Sequence, residues 1–155
     1  MKILIIEDED YKQKDLSEAL AEILPEGNIV IANTFRGARQ VLANEKFDLC
    51  LLDMTLPTFS RQTWAGAPES SALAGRRLIN FIEKTKVAKR VVVFTQYSTF
   101  SEYTEEMTYL DLIQIVAREC PKVFAGSIQY LVGNLKWKNE LAEIVKKIKD
   151  EDFTS

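Results

Sequence analysis

Four short runs in the chain, KILII (2–6), NIVIA (28–32), FDLCLL (47–52) and RVVVFT (90–95), are apolar with almost no alternation. A sheet with one wet face writes apolar and polar residues in turn. Unbroken runs fit strands buried on both faces, the condition of a parallel sheet covered by helices. The intervals between the runs agree. Leu16, Leu20, Ile23 and Leu24 recur on one helical face and stop at Pro25 and Gly27, while Phe35, Ala38, Val41 and Leu42 mark a second helix. Leu78, Ile79 and Ile82 mark a third over 75–86. A long helix is predicted over about 101–119, a fifth strand near 128–132, and a last helix carrying Leu141, Ile144, Val145 and Ile148. Five β-α units predict an α/β fold in which one parallel sheet has helices on both faces.

The 155 residues suffice for one domain, expected over 1–150, with EDFTS (151–155) as a frayed tail. A net charge of −3 gives no positive field to draw nucleic acid or an anionic membrane. MKILIIEDED lacks the layout of a signal peptide and no run approaches the length of a membrane span, so a cytoplasmic protein is expected. The absence of histidine removes the usual general base and imidazole metal ligands. Cys50 and Cys120 form no CxxC pair, and neither GxGxxG nor GxxxxGK[ST] occurs, so a Rossmann or P-loop nucleotide site has no support. The Lys146, Lys147 and Lys149 cluster reads as a solvated helix end.

In an open α/β sheet, ligands bind beyond the carboxyl ends of the strands. Glu7, Asp8, Glu9 and Asp10 follow the first run, Asp53 ends the third, Thr95 ends the fourth, and Tyr130 lies in the predicted fifth strand. Glu9 or Asp10 has an ordinary use as the start of the first helix. Asp53 has none, because no helical pattern begins immediately after it. If the first and third strands are neighbours, Glu7 or Asp8 meets Asp53 at one rim. Carboxylates gathered there raise one another's pKa values, and a divalent cation with hard oxygen ligands, Mg²⁺, resolves the conflict.

The ordered set "KILIIEDED", "LCLLDMTLP", "VVVFTQ" and "YLV" resembles the receiver domain of two-component response regulators across residues 2–150. That resemblance implies a flavodoxin-like (βα)5 fold, doubly wound, with strand order 2-1-3-4-5. It makes Asp53 the phosphoacceptor, with Pro57 closing the turn after it. It also implies Mg²⁺ held by Glu7, Asp8, Asp53 and the backbone carbonyl of Thr55, and a switch in which Thr95 binds a phosphoryl oxygen while Tyr130 turns inward. The implied function is a stand-alone phosphorelay component rather than an enzyme. It would take a phosphoryl group from a histidine kinase or phosphotransfer protein and act through protein contacts.

Two departures from the family pattern matter. The lysine expected after the fifth strand is replaced in "YLVGN" by Gly133, with Lys136 and Lys138 the nearest cations. This keeps open a phosphorylation-independent pseudo-receiver that serves as a binding module. The segment 58–75 is also long and contains Trp64, a possible anchor for a lid. In the predicted 101–119 helix, Tyr103, Met107 and Leu110 lie on one side and Tyr109, Leu112, Ile113 and Val116 toward another. That helix, with the strand and helix after it, is the expected surface for a downstream partner or homodimer. A Mg²⁺-dependent hydrolase is the remaining alternative, disfavoured because Thr55 stands where a second acid would be needed.

Overall fold

The computed structural model describes residues 1–55, 72–96, 99–102 and 105–154. The apolar runs become β1 (Lys2–Ile6), β2 (Asn28–Ala32), β3 (Phe47–Asp53) and β4 (Ala88–Thr95). Between and after them lie α1 (Asp10–Ile23), α2 (Phe35–Asn44) and α3 (Leu73–Thr85). A short antiparallel hairpin, β5 (Thr99–Glu102) and β6 (Glu105–Thr108), precedes α4 (Tyr109–Glu119), β7 (Phe124–Gln129) and α5 (Lys136–Thr154).

One five-stranded sheet runs β2-β1-β3-β4-β7, all neighbours parallel. Counted over the sheet's own strands, this is the expected order 2-1-3-4-5; the hairpin is an addition to it. The strands are sandwiched between two apolar layers, which is why their runs do not alternate. Leu4, Ile6, Cys50, Leu52, Val91 and Val93 pack toward α2, α3 and α4. Ile3, Ile5, Leu49, Leu51, Val92 and Phe94 pack toward α1 and α5, meeting Leu16, Leu20, Trp137, Leu141 and Val145. Each fully buried aliphatic or aromatic side chain contributes about 1.5–3 kcal/mol, and β3, central in the sheet, is buried along nearly its whole length. Alternate residues of one strand therefore face different helices, a parity that decides the surroundings of the side chains at the strand tips.

The sequence reading needs two corrections. The predicted helix over 101–119 starts only at Tyr109, because Thr99–Glu102 and Glu105–Thr108 pair as strands and Thr108 caps α4. The Thr108 hydroxyl accepts from the Asp111 N–H at 3.1 Å, and Asp111 accepts from the Thr108 N–H at 3.2 Å. This reciprocal pair satisfies two donors that a continuous helix would have bonded otherwise. The fifth strand of the sheet ends at Gln129, so it begins and ends earlier than 128–132 and Tyr130 lies just past it. α5 runs to Thr154, and Glu151 reaches Arg90 on β4 at 3.6 Å. Pro57, Trp64 and Tyr103 lie outside the described residues, as does most of 58–75; its last residues open α3.

Candidate acidic site at the strand tips

Adjacent parallel strands β1 and β3 end together, with Ile6 opposite Leu52 in register. The chain leaving each tip supplies the acids. One carboxylate oxygen from each of Glu7, Asp8 and Asp53 lies within 4.8 Å of the others. Glu7 and Asp53 are almost completely buried. By strand parity they continue the Ile5 and Leu51 rows toward α1.

Asp53 uses its two oxygens differently. Oδ1 accepts from the Thr55 N–H and from the Thr55 hydroxyl, both at 3.0 Å. Among the described residues, Oδ2 has no hydrogen-bond partner although it is buried, and neither has Oε2 of Glu7. Glu7 Oε1 receives the Glu9 N–H at 3.0 Å, and the Glu7 carbonyl receives the Gln13 amide at 2.6 Å, which ties the loop to α1. Burial, and then the charge of Asp53 beside it, push the Glu7 carboxyl up to about 9. Lys12 and the Glu9 N–H oppose that rise.

Sequence reasoning missed Lys12. It stands in the first turn of α1, four residues before Leu16 and eight before Leu20, and so on the apolar face of that helix. That phase was the available signal, hidden by the charged neighbourhood EDEDYKQKD. Lys12 is 1% exposed, and its Nζ lies 3.4 Å from Glu7 Oε1 and 3.6 Å from Asp53 Oδ2. Burial works against the ammonium, but Asp53, Glu7 and Glu9 outweigh it and hold the pKa above the ordinary lysine value.

A small hard cation fits this donor set. Mg²⁺ is bound by one or two carboxylates with water completing its shell. Here, among the described residues, Glu7 Oε2 is buried without a hydrogen-bond partner, and an oxygen from each of Glu7, Asp8 and Asp53 lies within 4.8 Å of the others. Thr55 donates its N–H and its hydroxyl to Asp53 Oδ1.

Thr95 ends β4 fully buried, one residue beyond Phe94, the register partner of Asp53. Tyr130 is not brought to Thr95's side of the sheet. Its N–H bonds the Thr95 carbonyl at 2.8 Å, but its ring lies in the α1–α5 layer with Phe94 and Ile128. There its hydroxyl donates to Asp15 Oδ2 at 2.6 Å, and the ring stands 5.3 Å from Trp137 and 6.4 Å from Tyr11 between centroids. Thr95 shares the parity of Val91 and Val93, which face the other layer, and its register partner on β7 is Gln129. This ring is thus buried and bonded to α1.

Neither lysine near Gly133 reaches the site. Lys136 pairs with Glu140 at 3.8 Å and Lys138 lies over the Trp137 ring at 5.7 Å. Gly133 itself has φ +78, a left-handed conformation that a lysine would adopt only with strain.

No protein-family model matches the chain. It is 26% identical over 150 residues to the Detocs response regulatory protein DtcB of Enterobacter cloacae, spanning 96% of this chain and 98% of that one. It is 25% identical over 142 residues to the uncharacterized protein y4jR of Sinorhizobium fredii, spanning 91% and 94%. Among solved structures, the signal receiver domain of an HD domain-containing protein from Pseudomonas fluorescens superposes with a TM-score of 0.69 at 17% identity, covering 99% of this chain and 98% of that one. The response regulatory domain of protein mrkE from Klebsiella pneumoniae gives 0.67 at 18%, covering 100% of both. The response regulator TrrA of Thermotoga maritima, solved in complex with Mg²⁺-BeF, gives 0.62 at 21%, covering 95% and 97%. The chain thus has the fold of response-regulator receiver domains, as its sequence resemblance implied. Among the described residues, no helix is long and apolar enough to cross a membrane.

Proposed function

We propose that this chain is a cytoplasmic response-regulator receiver whose Asp53 accepts a phosphoryl group from a phosphohistidine on a kinase or phosphotransfer protein. The observation that carries the reading is the convergence of Glu7, Asp8 and Asp53 at the tips of adjacent parallel strands. Asp53 Oδ1 is engaged by Thr55, which leaves Oδ2 as the attacking oxygen. An Oδ2 lone pair forms the O–P bond while the donor's P–N bond breaks, its electron pair passing to the imidazole nitrogen. Catalysis of such a transfer is mainly positioning and charge stabilisation. Mg²⁺, held by Glu7, Asp8, Asp53 and the Thr55 carbonyl, would neutralise charge on the transferring group. Thr95 would receive a phosphoryl oxygen and pass the change toward α4. Incubating the protein with Mg²⁺ and acetyl phosphate should add one phosphoryl group by intact mass, lost in Asp53→Asn; an unmodified parent protein refutes the reading.

Output through protein contacts is supported by large apolar side chains left in solvent. Leu110 opens α4, and Leu131, Val132 and Leu135 lie in the β7–α5 connection, with Val132 77% exposed. This moves the proposed partner surface from a 101–119 helix to the start of α4 and the loop before α5. A phosphorylation-independent binding module is the second reading, favoured by the absence of any cation from Tyr130 to Leu135. Partner affinity unchanged by both phosphorylation and Asp53→Asn would select it.

A further inference from the structure

We infer that Lys12 is the residue that grips the phosphoryl group on Asp53, entering the site from the first turn of α1. The inference rests on the proposed role of Asp53 and goes beyond it to a residue on a different element. It follows from which oxygen is free. Two donors from Thr55 fix Oδ1, so phosphorylation falls on Oδ2, the oxygen that faces Lys12 Nζ at 3.6 Å. Phosphorus bonded to Oδ2 carries its other oxygens one bond further out, into the space between Asp53 and the ammonium.

Lys12 is set up for such a partner. Its distances to Glu7 and Asp53, 3.4 and 3.6 Å, both exceed the 2.7–2.9 Å typical of a well-formed ammonium–carboxylate hydrogen bond. Donor capacity therefore remains for a more highly charged oxyanion. The Lys12 side chain is 2% exposed, so the ammonium has no bulk water to lose when it rotates toward phosphate. Among the described residues, Lys12 is the cation ion-paired to Asp53; Lys14, Lys136 and Lys138 are engaged by Glu18, Glu140 and Trp137. The turn holding Gly133 carries no cation, and its left-handed backbone resists acquiring one there.

The bland alternative is a structural counter-ion that neutralises Glu7 and Asp53 and takes no part in transfer. Lys12→Met, of similar volume and no charge, separates the two. For gripping, Asp53 phosphorylation by acetyl phosphate with saturating Mg²⁺ slows roughly ten- to a hundredfold, and affinity for beryllofluoride falls by a similar factor. Mg²⁺ binding alone is kept or tightened in that variant, since a competing cation is gone. In the full-length parent labelled with ¹³C and ¹⁵N at lysine, the Lys12 ε-CH₂ and Nζ signals shift on beryllofluoride addition, and do not shift in Asp53→Asn. Phosphorylation of Lys12→Met within twofold of the parent, or Lys12 signals unmoved when beryllofluoride occupies the parent, overturns the assignment and leaves Asp53 as acceptor. A parent protein that takes neither probe overturns the acceptor role as well. Should Lys12→Met fail to fold, the labelled parent decides alone.

Discussion

The hydrogen bond from Tyr130 to Asp15 separates an anchor from a switch, and Tyr130→Phe tests it. The substitution removes one oxygen and leaves the ring against Trp137 and Tyr11. The bond is 2.6 Å long, joins a hydroxyl to a carboxylate, and originates on a side chain 3% exposed. Charge-assisted bonds of this kind contribute about 1.5–3 kcal/mol net. Asp15 is partly exposed and can recover water when the hydroxyl is gone, so the lower end applies, about 1–1.5 kcal/mol. For a chain of this size that lowers the melting temperature by about 3–5 °C. Urea unfolding followed by far-UV circular dichroism measures it directly. In an Asp15→Ala background the same tyrosine substitution should cost much less, because the bond is already lost.

The alkaline limb gives a second reading of that bond. Burial, then the hydrogen bond and charge of Asp15, raise the Tyr130 phenol above its ordinary pKa. The folded state therefore holds this proton more tightly than the unfolded chain. Its stabilisation is complete below about pH 10 and is lost as pH rises through the folded pKa. Tyr11 is raised as well, chiefly by burial, so Tyr130→Phe should flatten the alkaline loss without abolishing it. Phosphorylation of Asp53 should proceed at the parent rate in Tyr130→Phe. Equal stability of variant and parent, or a large change in phosphorylation, refutes the anchoring role.

Other outcomes follow from the geometry. A Cβ on Gly75 would stand 2.7 Å from the Met54 carbonyl oxygen and 2.9 Å from Met54 Cα. Gly75→Ala should then cost about 1–3 kcal/mol in urea unfolding and slow Asp53 phosphorylation by displacing the residue that follows it. Asp48 accepts the Lys2 N–H at 2.8 Å and pairs with Lys89 at 3.2 Å, tying together β1, β3 and β4. The first of these bonds is the main cause of its lowered pKa. Asp48→Asn should cost about 1 kcal/mol at pH 7, discounted for partial exposure. Because the folded pKa is depressed, the difference is present above the unfolded value and vanishes as pH falls through the folded one, which urea midpoints at pH 7 and pH 3 compare. Thr108→Ala removes the capping box of α4 and should lower stability by about 0.5–2 kcal/mol.

The sheet was readable from sequence because burial on both faces keeps the stretches 3–6 of β1, 49–52 of β3 and 91–94 of β4 wholly apolar. Asp53 stood out for the same reason, as the first charge after a buried run. The failures lie where local composition serves two structures equally. Thr99, Phe100, Tyr103, Thr104 and Met107 suit a strand as well as they suit one helical face. The stop between hairpin and helix was written in Thr108 and Asp111, a cap spacing inside an apparently continuous pattern. β7 begins FAGS, whose small residues give little strand signal, so the strand was placed late. Tyr130 sits on an ordinary position for a strand-end aromatic; which layer its ring enters depends on register with β4.

Strand parity also explains why the site has a cation from α1. Glu7 continues the row of Ile3 and Ile5, and Asp53 the row of Leu49 and Leu51, all facing α1 and α5. Two carboxylates aimed into that layer require compensation from a helix covering it. The lysines opening α5 turn outward to Glu140 and over Trp137, and the turn before α5 supplies none. The first turn of α1 remains, and its inward position there is Lys12. Thr95, one step out of phase, shares instead the parity of Val91 and Val93, which face the α2–α4 layer. The two groups proposed to meet the phosphoryl oxygens thus report to different layers of the sheet, Lys12 to α1 and Thr95 to the α2–α4 layer. Lys12→Met and Thr95→Ala should accordingly perturb separate sets of amide resonances when each is compared with the beryllofluoride-bound parent.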